Sequence, residues 1–536
     1  MKRKPAVTQA TRPVLRARVS ALVLCGLVYG SPDALAATAA ASWKLPPSLQ
    51  IQRSQQLLIE VEPDTVARRS VPAALFGFNI MWMNFQRGYW RDNQVRPEVI
   101  EWLKPFSGAV YRYPGGGTAN WFEWQKAVGP AASRSEQYTD FGPTKAEFGF
   151  DEFLNFVKAV HGVPLVTVNL KGTRGTDKTV WDDDAAMRSN AEWVEYSVQR
   201  EGGAATSSAA YCQEGKKCPV RWWELGNELD WGKGAWTSER YVNRARVVGR
   251  AMKEVDPAIK LLAHTTSSPW GNRSIEWEKA VGSGLSGIVD GYVYHPYYDG
   301  ISVPEVNRYM ERAVNGLSAY SANGVPPSLF ITEHARWPNK PKIGKWDTVW
   351  AKTGNLGGAL STADYLLSQM AIPNVRAAMW HSLGARGPWQ LFYLDSGTDE
   401  LYPNVVYWGL RVLREGLLDD AVRVRVSSPN TSGYRGGYDV RAVFMRDRTG
   451  ARHSLMTVNR SGSAQKARLT IPKWAGRLVN ARQYFITGGS HNDANVKEEK
   501  SRVVMHTRSM ALQFDAQGRT TVNLPALSVS TVIIEQ

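Results

Sequence analysis

The sequence is poor in cysteine, and its longest apolar run is too short for a polytopic membrane protein. Of 536 residues, three are Cys, 43% are hydrophobic and 21% are charged, which is typical of a soluble globular chain. None of the eight His residues forms an HExxH pair, and the glycines at 115–117 match neither GxGxxG nor a P-loop. We therefore expect no metal, nucleotide or redox cofactor.

Charge of one sign is in excess, with 65 Lys and Arg against 49 Asp and Glu and a net charge of +16. The basic residues form no concentrated stripe and accompany no nucleic-acid motif, so we expect no nucleic-acid partner. A basic surface does permit an acidic polymer as partner, through long-range attraction. A solvated basic surface without such a partner is the plainer interpretation.

Residues 1–36 are typical of a secretory signal. Six basic residues precede the apolar run VSALVLCGLVYG, and Ala34-Leu35-Ala36 resembles a cleavage site. The sequence thus predicts a secreted or periplasmic protein without stable membrane insertion after signal removal. An uncleaved membrane anchor is the alternative, although the run is short for a membrane span.

Export also changes the cysteine count, because Cys25 leaves with the signal. Cys212 and Cys218 remain, six positions apart in an oxidising compartment, and this favours one short-loop disulfide. Two free thiols are the alternative.

Composition divides the rest of the chain. Residues 37–55 are rich in Ala, Ser, Pro and Gln and indicate a tether. At 56–72, LLIEVEP alternates like a strand of a β-sandwich, and residues 73–412 alternate short apolar strands with amphipathic helices. Residues 413–536 contain alternating segments such as AVRVRVSS, YDVRAVFM, HSLMTV, KARLTI, SRVVMH and TTVNL, which predict a C-terminal β-sandwich.

Eight strand candidates lie in the middle region, the number that a closed (β/α)8 barrel requires. They end near Asn79, Arg112, Asn169, Glu228, His264, His295, Glu333 and His381. Polar residues collect at these ends, which share one rim of such a barrel. A doubly wound open sheet is the competing fold, but no Gly-rich phosphate turn follows the first strand.

The predicted chemistry depends on two carboxylates. Glu228 ends the fourth strand in GNE and Glu333 ends the seventh, and these strands face one another across a barrel mouth. Two such carboxyls can flank a glycosidic bond, one protonating the leaving oxygen and the other attacking the anomeric carbon. A single strand-terminal Glu would more simply be an ion-pairing residue. Of 21 Trp, 18 lie between Trp82 and Trp389, a density that suits sugar rings as well as core packing.

Several motifs resemble those of a known family. WELGNELDWG and FITEHARW look like the acid/base and nucleophile motifs of clan A retaining glycoside hydrolases. YRYPGGGTANWFEWQKAVGP, FGFDEFLNFVKAVHGVPLVTVNL and the terminal LPALSVSTVIIE are similar to segments of glycoside hydrolase family 51, the α-L-arabinofuranosidases. This resemblance implies a carbohydrate substrate, a (β/α)8 barrel with a C-terminal sandwich, and cleavage with retention.

The resemblance also implies roles for individual residues. Glu228 would be the general acid/base, Glu333 the nucleophile, and Asn227 a ligand of the sugar 2-hydroxyl. Arg112 would keep Glu333 ionised, and Tyr297 would donate a hydrogen bond to it.

Three further residues, His295, Asn169 and Trp380, would line the same pocket. A buried ion pair for Arg112, a core phenol for Tyr297 and a core imidazole for His295 are the alternatives.

The chain departs from the family pattern at three places. Met81 stands where family 51 carries a glutamate that binds the furanose, Gly117 where an asparagine is common, and TEHARW lacks Trp-Asn after the nucleophile. Families 39 and 79 share the barrel, the glutamates and the sandwich, so a xylosidase, a glucuronidase or an exopolysaccharide glycosidase is an alternative. A non-catalytic carbohydrate-binding protein and an exopolysaccharide assembly partner that also cleaves are further hypotheses.

Overall fold

The computed structural model describes residues 42–139, 142–175, 178–201, 220–232, 234–266, 272–299, 302–321, 325–337, 353–384, 387–429 and 438–535. The predicted signal at 1–36 and the predicted disulfide between Cys212 and Cys218 lie outside these residues and stay predictions. Within these ranges, no helix is both long enough and apolar enough to cross a membrane.

Eight parallel strands form a closed barrel. Each pairs with its neighbour in sequence, and the eighth strand pairs with the first, which closes the sheet. The strands are Gly77–Ile80, Val110–Tyr113, Val163–Val168, Trp222–Leu225, Lys260–Thr266, Gly291–Tyr294, Leu329–Arg336 and Val375–Leu383. The predicted (β/α)8 barrel is therefore confirmed, and its strands lie in the eight predicted segments.

Side chains alternate between the barrel interior and the surrounding helices, as the period of a strand requires. In the eighth strand, Ala377 and Met379 join the apolar cluster inside the barrel, whereas Ala378 and Trp380 join the cluster packed against the helices. The same alternation turns His381 inward, where it contacts Asn79 at 2.7 Å.

Helices cover the outside of the barrel. The helix after the fourth strand begins at Thr237, whose hydroxyl accepts a hydrogen bond from the N–H of Arg240, and the one after the sixth strand begins at Ser302 in the same way. The described helices are Trp82–Gln86, Pro97–Leu103, Phe150–Ala159, Asp183–Glu201, Ser238–Val255, Asn272–Leu285, Val303–Ser318, Leu356–Met370 and Val405–Glu415.

A β-sandwich follows the barrel and includes a strand from the other end of the chain. Leu58–Arg68 pairs antiparallel with Asp420–Ser428 and parallel with Gln465–Thr470. Alternate residues such as Ile59 and Val424 fill the sandwich core. The remaining strands of this sheet are Gln52–Arg53, Val440–Arg446, Arg452–Asn459, Leu478–Ile486, His506–Gln513, Arg519–Leu524 and Ser528–Glu535.

Two sequence predictions differ from this structure. The part of the tether that is described is docked: Trp43 hydrogen-bonds through its main chain with Asn315, and Gln52–Arg53 pairs with the sandwich. The apolar segment SRVVMH is not a strand. Its Val503 is buried in a loop that Asn495 holds by two hydrogen bonds, so its apolar character reflects loop packing.

A chain of buried ion pairs connects the sandwich to the barrel. Arg336, three residues after Glu333, pairs with Asp299 at 2.5 Å, and Arg460 of the sandwich lies 3.7 Å from the same carboxylate. Arg460 also lies 3.5 Å from Asp364, a residue of the helix Leu356–Met370. The sandwich thus contacts the segment after the sixth strand and the helix after the seventh strand.

Candidate active site

A fully buried guanidinium organises the carboxyl end of the barrel. Arg112 donates to Glu224 through Nε at 2.5 Å and Nη2 at 3.1 Å, and through Nη1 to Glu333 at 2.8 Å. It also donates to the amide oxygens of Asn79 at 2.8 Å and Asn227 at 2.6 Å. Burial lowers the pKa of Arg112, but the two carboxylates outweigh this effect and raise it.

An irregularity in the seventh strand turns two successive side chains inward. The pairing with the eighth strand shifts between Ile331 and His334. Thr332 consequently donates to Glu224 at 3.1 Å, while the next residue, Glu333, reaches Arg112. Bulges commonly re-aim side chains next to active sites.

Glu333 is 3% exposed, yet its surroundings hold it ionised. Burial raises the pKa of this carboxyl, but His295, His381 and Arg112 lower it through their charges, and Tyr297 donates to it at 2.8 Å. The net result is a pKa far below the ordinary value. A carboxylate that its surroundings keep ionised in a barrel mouth suits a nucleophile.

Glu228 lies on a tight turn that directly follows the fourth strand. Its own φ is +44° and that of Gly226 is +80°, where a side chain would collide with Leu229. Asn120 fixes this turn, since its side chain accepts from the N–H of Asn227 at 3.0 Å and donates to its carbonyl oxygen at 2.5 Å.

This turn leaves the Glu228 side chain one-quarter exposed, with one oxygen 2.9 Å from Nδ1 of His295. Nε2 of His295 lies 2.9 Å from the hydroxyl of Thr332, so the imidazole is held at both nitrogens. Burial lowers the pKa of His295, but Glu333 and Glu228 outweigh it and raise it.

The two glutamates are close enough to act on one bond. Carboxylate oxygens of Glu228 and Glu333 and a ring nitrogen of His295 lie within 4.8 Å of one another. Carboxyls about 5 Å apart are typical of retaining glycosidases, whereas inverting enzymes separate them by about 6.5 Å or more to admit water. The spacing therefore indicates attack by a carboxylate.

The same three side chains form the group, among the described residues, that could hold a metal ion. Arg112 already occupies one oxygen of Glu333, and Tyr297 donates to the other. A cation would have to compete with both, so these donors fit a glycosidase better than a metal centre.

Asn227 has an amide suited to a ligand. Its oxygen accepts from Arg112, which directs Nδ2 away from the guanidinium, and among the described residues this buried nitrogen has no hydrogen-bond partner. A buried donor without an acceptor is costly, so a substrate hydroxyl would satisfy it. This placement agrees with the predicted contact to the sugar 2-hydroxyl.

Two residues predicted to bind substrate are not placed to do so. The amide of Asn169 is saturated by the main chain: its nitrogen donates to Phe122 and Gly172, and its oxygen accepts from Lys171 and Gly172. Trp380 is 2% exposed and faces the helices. The first side chain therefore shapes a turn, and the second points out of the barrel.

Sequence reasoning missed Glu224 and His381. Glu224 is a fully buried charge two residues before Gly226 in an otherwise apolar strand, which is itself a signal of a buried ion pair. His381 lies 3.5 Å from Glu333, one position beyond the predicted Trp380. Burial lowers the pKa of His381 despite the nearby Glu333.

The positions that depart from the family pattern also lie at the barrel mouth. Met81 is half-buried at the end of the first strand, with its sulfur 3.8 Å from the amide of Asn84. A side chain at Gly117 would meet no atom within 4 Å. The rings of Tyr297 and Trp389 pack 5.3 Å apart and form an aromatic wall.

Comparison with known proteins agrees with this geometry. Residues 102–302 match the family model of the α-L-arabinofuranosidase 1 domain. An intracellular exo-α-(1→5)-L-arabinofuranosidase of Streptomyces lividans is 31% identical over 275 residues, which are 48% of this chain and 38% of that protein. The chain thus spans about two fifths of the length of this curated relative.

Solved structures extend the likeness to the fold. The α-L-arabinofuranosidase of Thermotoga maritima, in complex with arabinose, superposes with a TM-score of 0.72 at 18% identity. The family 51 enzyme of Thermotoga petrophila gives 0.71 at 17% identity. Each alignment covers 90% of this chain and all of the other, and shows a shared barrel and sandwich.

The sequence of the barrel is similar to that of α-L-arabinofuranosidases, and the fold of the chain is similar to that of solved α-L-arabinofuranosidases of glycoside hydrolase family 51. The predicted resemblance to this family is therefore confirmed.

Glu224 is fully buried and accepts two hydrogen bonds from Arg112, so its replacement tests the central role of this guanidinium. Glu224→Gln replaces one acceptor of Arg112 with a donor and leaves the buried guanidinium undercompensated. We expect the free energy of unfolding to fall by about 3 kcal/mol, measured by urea denaturation. Glu123→Gln, whose pair with Lys126 is partly exposed, is the control and should cost less than about 1 kcal/mol. Equal losses in the two variants would contradict the central role of Arg112.

Proposed function

We propose that the protein is a retaining glycoside hydrolase that cleaves α-L-arabinofuranosyl linkages of an oligo- or polysaccharide. The observation that carries this proposal is the proximity of Glu228 and Glu333 at opposite sides of the barrel mouth. The arabinofuranosidase names of the relatives support the choice of sugar.

The first step of the proposed reaction forms a covalent intermediate. An ionised oxygen of Glu333 attacks the anomeric carbon, the bond to the leaving oxygen breaks, and Glu228 gives that oxygen its proton. The product is a glycosyl ester of Glu333. His295, which contacts Glu228 at 2.9 Å, orients the acid.

In the second step, Glu228 is a base and removes a proton from water as the water attacks the ester carbon. Glu333 leaves as a carboxylate, which Arg112 and Tyr297 stabilise as its charge returns. Asn227 supports both steps, because its free N–H can donate to the 2-hydroxyl of the sugar. The exposed position of Glu228 suits a group that meets first a leaving group and then water.

We also propose that the chain is exported, on the basis of the signal-like residues 1–36. This departs from the Streptomyces relative, whose name describes an intracellular enzyme. Amino-terminal sequencing of the protein from its native host should find a mature chain that begins at Ala37. A cytosolic protein with an intact amino terminus would contradict the proposal.

The central test is hydrolysis of aryl glycosides by the wild-type protein and by Glu333→Gln. We expect release of nitrophenol from the α-L-arabinofuranoside, and a rate reduced by about four orders of magnitude or more in the variant. Sugar binding should persist, since the variant keeps the shape of the site. Glu276→Gln, an exposed carboxylate on the helix Asn272–Leu285, is the control and should keep wild-type activity.

Other results of this assay have definite meanings. Turnover of the β-D-xyloside, β-D-glucuronide, β-D-glucoside or β-D-galactoside instead would keep the mechanism and change the sugar, with Met81 and Gly117 as the first residues to examine. Unchanged hydrolysis in Glu333→Gln would overturn the mechanism. Sugar binding without any turnover would indicate a carbohydrate-binding protein.

A further prediction concerns pH. Tyr297→Phe removes a donor to Glu333, so the pKa of that carboxyl rises and its ionised form is lost at a higher pH. We expect the acid limb of kcat/KM to move to higher pH and the maximal kcat to fall by about tenfold to a hundredfold. Tyr298→Phe, a neighbouring phenol that donates to Thr362, should leave the acid limb in place. An acid limb at the same pH in both variants would show that Tyr297 does not support the ionised form of Glu333.

A further inference from the structure

One side of the barrel mouth carries cations and indoles that the proposed mechanism does not use. Lys178 Nζ lies 5.1 Å, and Lys171 Nζ 5.8 Å, from the centre of the Trp121 ring. The guanidinium of Arg240 lies 4.4 Å from the ring of Trp236. We call these five residues the cationic patch.

The positive charges of the patch are close enough to repel one another. Burial lowers the pKa of Lys171, and the charges of Lys178 and Arg240 lower it further. Among the described residues, none of the three cations has a carboxylate in ion-pair contact. A cavity of about 370 Å³ beside Trp236 is lined by two acids, Asp183 and Glu239. Asp183 forms an ion pair with Arg244 at 2.5 Å.

The patch adjoins the acid/base rather than the nucleophile. Trp121 directly follows Asn120, the residue that holds the turn of Glu228, and Lys171 follows the third strand. Arg240 lies in the first turn of the helix after the fourth strand. Glu333 belongs to the seventh strand, across the barrel. A chain that leaves from the Glu228 side would pass over the patch.

We propose that the cationic patch binds the leaving-group side of an acidic polysaccharide, with uronic-acid carboxylates against the cations and a sugar face against the exposed indole of Trp231. This proposal rests on the proposed glycosidase function and specifies its substrate class. Sugar rings stack on indoles, and unpaired cations attract carboxylates. Trp231, whose N–H donates to the carbonyl oxygen of Glu228 at 3.1 Å, is 60% exposed, and Val180, in the same short strand as Lys178, is 51% exposed.

Binding can be measured without turnover in full-length Glu333→Gln. Titration calorimetry would compare glucuronoarabinoxylan with the same polymer after chemical reduction of its carboxylates to alcohols. We expect about tenfold tighter binding of the acidic polymer at low salt and no preference at about 0.5 M salt, where charges are screened. Equal affinity for the two polymers at low salt would overturn the proposal.

A set of variants locates the effect. Lys171→Ala, Lys178→Ala and Arg240→Ala, combined in the same background, should remove the preference for the acidic polymer. The matched control removes three exposed basic residues elsewhere, Lys279, Lys466 and Arg468, and should retain it. An equal loss in the control would show that net charge alone is responsible.

Two further experiments distinguish this proposal from the proposed glycosidase function and from binding of anionic polymers in general. Turnover of the aryl arabinofuranoside by the wild-type protein tests the proposed function by itself, so its failure would leave the polymer-binding result interpretable. Single-stranded DNA serves as an anionic probe of another class. Binding of DNA as tightly as the acidic polymer, with the same dependence on the patch, would contradict a carbohydrate site.

Discussion

The site depends on the burial of the Arg112 guanidinium between two carboxylates. A charge without water is costly, so the fold must supply acceptors for every donor of this side chain. Glu224 and Glu333 supply the charge, and the amide oxygens of Asn79 and Asn227 complete the set. These partners come from the first, fourth and seventh strands and the loop after the fourth. One side chain of the second strand therefore fixes the relative position of opposite sides of the barrel.

The same network makes the two glutamates different. Glu333 is enclosed by Arg112, Tyr297 and His295, which favour its ionised form despite burial. Glu228 lies outside the enclosure, on a turn with positive φ, and contacts it through His295. A nucleophile and an acid/base need this kind of contrast between their environments. Here the contrast arises from position along the strands. Glu333 lies within the bulged seventh strand, and Glu228 lies beyond the end of the fourth strand.

The sequence allows the barrel and the position of the two glutamates to be predicted because both follow from simple patterns. Eight apolar runs with polar ends predict the strands, and the fourth and seventh of them place Glu228 and Glu333 across the mouth. Where the structure places a predicted side chain elsewhere, the cause is local. The choice of Trp380 instead of His381 reverses which side chains of the eighth strand point into the barrel. This direction depends on how the strand pairs with its neighbours. Asn169 has the right position, but its amide is used by a turn whose geometry a sequence does not reveal.

The tether and the sandwich show the same dependence on distant contacts. Alternation in LLIEVEP correctly suggested a strand, because its partners also alternate, and it pairs with Asp420–Ser428. Residues 42–55 have no such pattern, yet Trp43 is held by Asn315 and Gln52–Arg53 pairs with the sandwich. Short contacts of this kind between residues far apart in the sequence leave no periodic signal. Arg112, the buried cation of the site, is matched by two carboxylates. The three cations of the patch lie over indole rings, and among the described residues none of them has a carboxylate in ion-pair contact. This contrast distinguishes a charge that organises the fold from one that can bind a ligand.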